Sequence, residues 1–151
     1  EVFNRAFILE DAESFSISEE TSSLFASVCL YNMALAMHLK GLTQGCIGNV
    51  RKAFGLYQKV FSILSTLNPS PTHSSSSLLL ATAMNIISCE AEIRGPAATN
   101  EWRNVFSDLF TWATQTEQQF PAIYNNPEES AMFNTCAVMY CKQAFSAAPA
   151  A

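Results

Sequence analysis

Glycine, proline, cysteine and histidine are all scarce in this chain of 151 residues, which contains 5 Gly, 6 Pro, 5 Cys and 2 His. So few Gly and Pro exclude a collagen-like or glycine-rich fibre. Five Cys without a Cys-x-x-Cys pair are neither dense nor even, so a disulfide scaffold is disfavoured. We expect small packing residues in a reducing intracellular compartment, the cytoplasm by default, although the residues do not specify the compartment.

Charged residues are also few, at 14% of the chain against 49% hydrophobic residues. This apolar content excludes a wholly disordered chain and is enough to bury a sizeable core. The charge is unevenly distributed, because residues 21–89 contain four bases and no acid. The bases are too few for a nucleic-acid interface, so no nucleic-acid partner is expected. The longest apolar run, residues 24–39, is shorter than a membrane span requires, and we predict no transmembrane span. The chain begins at Glu1 without an initiator Met, so we expect it to be processed or incompletely represented.

Hydrophobic spacing predicts five helices and no convincing strand. The predicted helices cover residues 18–40, 49–67, 76–94, about 100 onward, and 126 to about 145. Short connections favour antiparallel neighbours, so the first four helices are interpreted as two hairpins and the fifth as unpaired. The predicted fold class is all-α. Its three parts are an extended segment at 1–17 that lies on the helices, a helical domain at 18–147 and a small-residue tail at 148–151.

Two of these helices have distinct expected positions. The first is apolar on nearly every side, and we expect it to be the most buried element. The second is amphipathic, with Arg51, Lys52 and Lys59 on its polar half, and we expect it on the outside. These three residues form a candidate cationic face, which would meet an acidic surface of a partner or of this chain's own segment around Glu10, Asp11 and Glu13.

An asparagine recurs at equivalent places in the first, third and fifth helices, as Asn32, Asn85 and Asn134. The first hairpin resembles the tetratricopeptide-repeat (TPR) family in three features. These are Met33-Ala34, the Gly41 that is expected to close the first helix, and the spacing of Ala53, Tyr57 and Val60. The Trp of that family is absent, and Pro69 stands one turn late. Short TPR-like proteins of diatoms also resemble residues 30–41, 53–57 and 147–151. The resemblance implies a short solenoid of stacked helical hairpins that binds another protein or a peptide segment, and it implies no catalytic residue.

Side chains capable of catalysis are isolated from one another. His38 ends an apolar helix, and Glu90 and Glu92 point to different faces of one helix. Two separated His offer neither a zinc site nor a catalytic triad. We therefore expect no enzyme activity, no cofactor and no metal. Cys46, beside two Gly, is the expected exposed thiol.

In a TPR-like stack the first helices of successive hairpins line the concave face, so the resemblance implies a partner groove there. Equal spacing on two helices supports it, because positions i, i+4, i+7 and i+11 share one face. The candidate groove residues are Tyr31, His38, Asn85, Ser88, Glu92 and Asn134. The alternative is that small residues let the helices approach closely and that Asn32, Asn85 and Asn134 satisfy backbone groups inside the hairpins.

The favoured function is therefore a protein–protein interaction module, acting as an adaptor or a small accessory subunit. A purely structural subunit of a large complex is the second interpretation, and an enzyme the third. Because two and a half hairpins are few for a solenoid, a partner or a second copy is expected to cover part of the surface.

Overall fold

The structure is a computed structural model that describes residues 2–8, 19–67, 73–116 and 127–146. These residues form five α-helices and a short 3₁₀ turn, Pro96–Thr99, before the fourth helix. The helices are α1 Glu19–Gln44, α2 Ile47–Thr66, α3 His73–Arg94, α4 Asn100–Thr116 and α5 Pro127–Ser146. The all-α prediction is confirmed, and the described residues contain no strand. Residues 9–18 and the predicted tail lie outside the described residues.

The expectation that Gly41 closes the first helix is wrong. Helix α1 continues to Gln44, and Gly45 makes the turn with a φ of 62°. Gly41 is instead buried inside α1, where an added Cβ would lie 2.7 Å from the Val50 Cγ2 atom and 3.0 Å from the Val50 backbone nitrogen. Gly41 therefore lets α1 and α2 approach each other, whereas Gly45 supplies the backbone conformation that ends the helix.

The most buried helix is α3, and the expectation that the first helix would be is wrong. Every α3 residue from Ser76 to Ile87 is buried, because α2 and α4 both pack against it and α1 also contacts it. In α1, by contrast, Phe25 is 55% exposed and Met33 is 45% exposed. Among the described residues nothing covers this outer face of α1, and apolar composition alone does not supply a neighbour.

Helix α2 has the amphipathic arrangement that its sequence predicts. Its buried side is formed by Val50, Ala53, Tyr57, Val60 and Leu64, which recur at three- and four-residue spacing. Helices that are consecutive in the chain are in contact with each other, and α1 and α3 also touch. This order is compatible with stacked hairpins, and the solenoid arrangement stays a prediction.

Helix α1 is long and apolar enough to cross a membrane by length and composition. The apolar run of residues 24–39 underestimates the length of this helix, because α1 has 26 residues. A third of its most apolar window, 33%, is buried within the fold, and core helices of soluble proteins meet the same criterion. The expectation of no transmembrane span stays a prediction.

Candidate functional site

The side-chain amide of Asn85, on α3, bonds both backbone polar groups of Phe3. Its Oδ1 accepts the Phe3 N–H at 2.8 Å, and its Nδ2 donates to the Phe3 carbonyl at 3.0 Å. One carboxamide can do this only where the N–H and C=O of a residue point the same way, as they do between paired antiparallel strands. Asn85 therefore binds Phe3 in a locally extended conformation.

Asn32, on α1, holds Phe7 in the same way. Its Oδ1 accepts the Phe7 N–H at 3.0 Å, and its Nδ2 donates to the Phe7 carbonyl at 2.8 Å. Two asparagines on different helices thus bind the backbone of one segment at positions four residues apart. We call residues 2–8 the N-terminal segment; it has no regular secondary structure.

Aromatic rings hold the side chains of the same two residues. The Phe3 ring is fully buried and stacks on Phe133 of α5, with centroids 5.4 Å apart, and on Phe7 at 6.0 Å. The rings of Phe7 and Tyr31 make a T-shaped contact, with centroids 5.1 Å apart and an interplanar angle of 86°. Such arrangements add about 0.5–1.5 kcal/mol per pair beyond area burial. The surface that receives the segment, here named the carboxamide groove, is formed by Asn32, Asn85, Tyr31, Tyr57 and Phe133.

Two tyrosine hydroxyls complete the hydrogen bonding of the groove floor. The Asn85 Nδ2 lies 3.0 Å from the Tyr31 hydroxyl and 3.1 Å from the Tyr57 hydroxyl, so its two N–H groups are shared among these two oxygens and the Phe3 carbonyl. The Tyr31 hydroxyl in turn donates to the Phe3 carbonyl at 3.3 Å. Burial raises the pKa of Tyr57 above its ordinary value, so this hydroxyl stays protonated. These bonds hold the Asn85 carboxamide in the orientation in which it bonds the Phe3 backbone.

Arg5 anchors the middle of the segment through an ion pair with Glu128 near the start of α5. The Arg5 side chain is 41% exposed and that of Glu128 is 75% exposed. Water screens such a pair, so its contribution to stability is about 0–1 kcal/mol. It can nevertheless favour a basic residue at this position.

His38 lies behind the groove floor. It is fully buried, its ring meets Tyr57 edge-on with centroids 5.9 Å apart, and neither ring nitrogen has a hydrogen-bond partner among the described residues. Burial lowers its pKa to about 4, so the ring is neutral at pH 7. His38 therefore fills space in the core and is not presented to a partner.

The predicted groove residues are divided between two environments. Tyr31, His38 and Asn85 are fully buried among the described residues, and their assignment to a partner groove stays a prediction. Tyr31 and Asn85 are covered by the chain's own N-terminal segment. Ser88 is half-buried, and Glu92 and Asn134 are exposed. Among the described hydrogen bonds, Asn134 makes one of 3.4 Å to the Ser130 hydroxyl and none to the N-terminal segment.

Sequence reasoning left Asn32 out of the candidate site. The alternative placed the bonded backbone groups inside the hairpins, and that location is wrong for Asn32 and Asn85, whose carboxamides bond backbone groups of the N-terminal segment. Two signals were available: the recurrence of Asn at equivalent helix positions, and the apolar positions Phe3 and Phe7 in a segment expected to lie on the helices. Joining them would have identified Asn32.

The candidate cationic face is on the surface of α2, where Arg51, Lys52 and Lys59 are all exposed. Its acidic counterpart within the chain, Glu10, Asp11 and Glu13, lies outside the described residues. An acidic partner for this face therefore stays a prediction.

The remaining reactive groups are separate from the groove. Glu90 is buried and pairs with Arg94 at 3.0 Å. Burial, with the charge of Glu92, raises the pKa of the Cys89 thiol to about 12, which leaves it unreactive. Cys46 is exposed as expected, and Cys29 is exposed as well. In the part of the chain that the structure describes, no three His, Cys, Asp or Glu side chains cluster as a metal ion would require.

No protein-family model, no curated protein and no solved structure matches this chain. The resemblance to the TPR family therefore stays a prediction, and the function must be argued from the groove itself.

Proposed function

We propose that this protein is a protein–protein interaction module that binds a peptide segment in the carboxamide groove, as an adaptor or small accessory subunit. The observation that supports this proposal is the pair of double hydrogen bonds from Asn32 and Asn85 to the backbone of residues 7 and 3. These bonds use groups that every residue except proline carries, so the carboxamides bind a main chain whatever its side chains are.

The polarity of the groove floor also supports a binding role. A core built only for stability buries apolar residues, because a buried amide is costly unless all its bonds are made. Asn85 is fully buried, and its bonds go to two tyrosine hydroxyls and to the segment. When the segment leaves, water can take over its bonds, whereas an apolar floor would remain exposed at full cost.

An array of random heptapeptides, probed with the full chain, tests the proposal. A chain that carries Phe7→Ala, in which the N-terminal segment binds the groove more weakly, is expected to retain a subset of peptides. Adding Asn32→Ala is expected to lose them, because Asn32 is only partly buried and its removal takes away two bonds to the ligand backbone. Asn134→Ala is the matched control, since this asparagine lies on α5 outside the groove. Retention of no peptide, or equal retention by Asn32→Ala, would contradict the proposal.

A structural subunit is the second candidate, and the outer face of α1 favours it. Phe25, Met33, Leu39 and Leu42 are exposed there, and no charged residue lies between Glu20 and Lys40. Such a face suits burial against another apolar helix of an assembly. Sedimentation velocity distinguishes a structural subunit from an adaptor. A structural subunit on its own is expected to self-associate as its concentration rises, and Met33→Glu is expected to suppress this association. An adaptor is expected to stay monomeric.

A further inference from the structure

The N-terminal segment occupies the groove in the manner of a bound peptide. Its contacts with the helices include two carboxamides and the Tyr31 hydroxyl at its backbone, two aromatic sites for its side chains and one surface ion pair. Ile8, the next residue after Phe7, is 87% exposed. Ten residues, 9–18, join this segment to α1.

We infer that residues 2–8 are an internal ligand that competes with an outside partner, and that this partner carries the same pattern of an aromatic residue, a basic residue two positions on and a second aromatic residue two positions further. This inference rests on the proposed function and names the regulation and the ligand of the same groove. The pattern follows from Phe3 against Phe133, Arg5 against Glu128 and Phe7 against Tyr31.

Competition follows from the covalent connection. A ligand joined to its site by a short connection acts at an effective concentration on the order of 1 mM. If the segment binds with a dissociation constant of about 0.1 mM, it fills the groove most of the time and weakens an outside peptide by about tenfold. A partner must therefore bind better than the segment, or arrive tethered at a high local concentration.

The test uses the full chain and a fluorescent peptide with the sequence of residues 2–8, with affinity read from anisotropy. Phe7→Ala in the chain weakens the internal ligand and leaves the groove intact, because Phe7 is only half-buried. We expect this variant to bind the peptide about tenfold more tightly than the wild-type chain does. Equal affinities would show that the segment does not compete, and would overturn the inference while the proposed function stood.

A second measurement requires only the wild-type chain. Excess peptide is expected to displace the segment, so the backbone N–H of Phe7 in the chain should exchange with solvent faster as peptide is added. Unchanged exchange at saturating peptide would make the segment a permanent part of the core. No binding of this peptide to either chain would also overturn the inference, and the heptapeptide array then decides independently whether the groove binds other segments.

Peptide variants test the ligand pattern. Alanine at either aromatic position of the peptide is expected to abolish measurable binding to the Phe7→Ala chain. Glutamate in place of the peptide arginine is expected to weaken binding about threefold at low ionic strength, and Glu128→Arg in the chain should restore it. If none of these three peptide substitutions changes the affinity, the ligand pattern is contradicted. If the wild-type chain forms dimers and the peptide dissociates them, the groove is filled by the segment of a second copy. This result would overturn competition within one chain.

Discussion

The carboxamide of Asn85 bonds both the N–H and the carbonyl of Phe3, a residue 82 positions earlier in the chain. A fully buried amide lowers the stability of a fold unless its bonds are made, so these two residues depend on each other. The same hydrogen bonds fix the N-terminal segment on α3 and complete the polar floor of the groove. Under the proposed function, stability and ligand binding would therefore involve the same atoms.

The first prediction concerns this network. Asn85→Ala should lower the free energy of unfolding by about 2–5 kcal/mol, because it removes the hydrogen bonds that this buried carboxamide makes to two hydroxyls and to both backbone groups of Phe3. Tyr57→Phe alone should cost about 1 kcal/mol. Urea denaturation of the double variant should reveal a coupling of at least about 0.5 kcal/mol, since the two groups are bonded at 3.1 Å. Strict additivity would mean that this bond contributes nothing.

A second prediction compares two helical glycines. Gly41→Ala should destabilise the fold by about 1–3 kcal/mol, because the new methyl group meets the side chain and backbone of Val50. Gly55→Ala is the matched control, since nothing lies within 4 Å of the Cβ that it adds on α2. It should stabilise the fold by about 0.5–1 kcal/mol through helix propensity alone. Thermal unfolding that moves both variants in the same direction would refute the close approach at Gly41.

A third prediction uses two methionines to test which helix is central. Met84→Ala on α3 should cost about 2–5 kcal/mol, because this side chain is fully buried. Met33→Ala on α1 should cost less than about 1 kcal/mol, because Met33 is 45% exposed. Denaturant titration of the two variants provides the comparison. A larger loss at Met33 would restore α1 as the core helix.

A fourth prediction concerns pH. The pKa of His38 is about 4 in the fold, below the ordinary histidine value of 6.5, so between these two pH values the unfolded chain binds a proton that the folded chain does not. The contribution of neutral His38 is therefore complete above pH 6.5 and is lost as the pH falls toward 4, by about 3 kcal/mol in all. Urea titrations at several pH values should show this loss in the wild type and not in His38→Leu. If the free energy of unfolding depends on pH in the same way in the wild type and in His38→Leu, the His38 ring gains a proton as readily in the folded chain as in the unfolded chain.

The sequence predicted the helices well because their signals are local. The spacing of Val50, Ala53 and Tyr57 defines the buried face of α2. Pro96 begins the 3₁₀ turn and Pro127 begins α5, and a proline has this effect whatever packs against it. The role of Gly41 was missed for the opposite reason. Its small size serves a contact with Val50 on another helix, and composition alone does not distinguish that use from a helix stop.

The groove was only half visible in the sequence. Equal spacing on two helices correctly indicated that Tyr31 and Asn85 face a common space, but it could not show what fills that space. The occupant is a non-helical segment more than 80 residues from Asn85, and its recognition by Asn32 depends on how α1 is rotated about its axis. Burial of α1 was overestimated because apolar composition does not reveal whether a helix has neighbours on both sides.

Hydrogen exchange at the backbone amides of Phe3 and Phe7, followed by NMR on the full chain, tests the central claim most directly. The account predicts slow exchange at both amides, because each donates to an asparagine carboxamide. In Asn32→Ala the protection of Phe7 should disappear while that of Phe3 persists. Fast exchange at both amides in the wild-type chain would contradict the occupied groove and, with it, the proposed mode of binding.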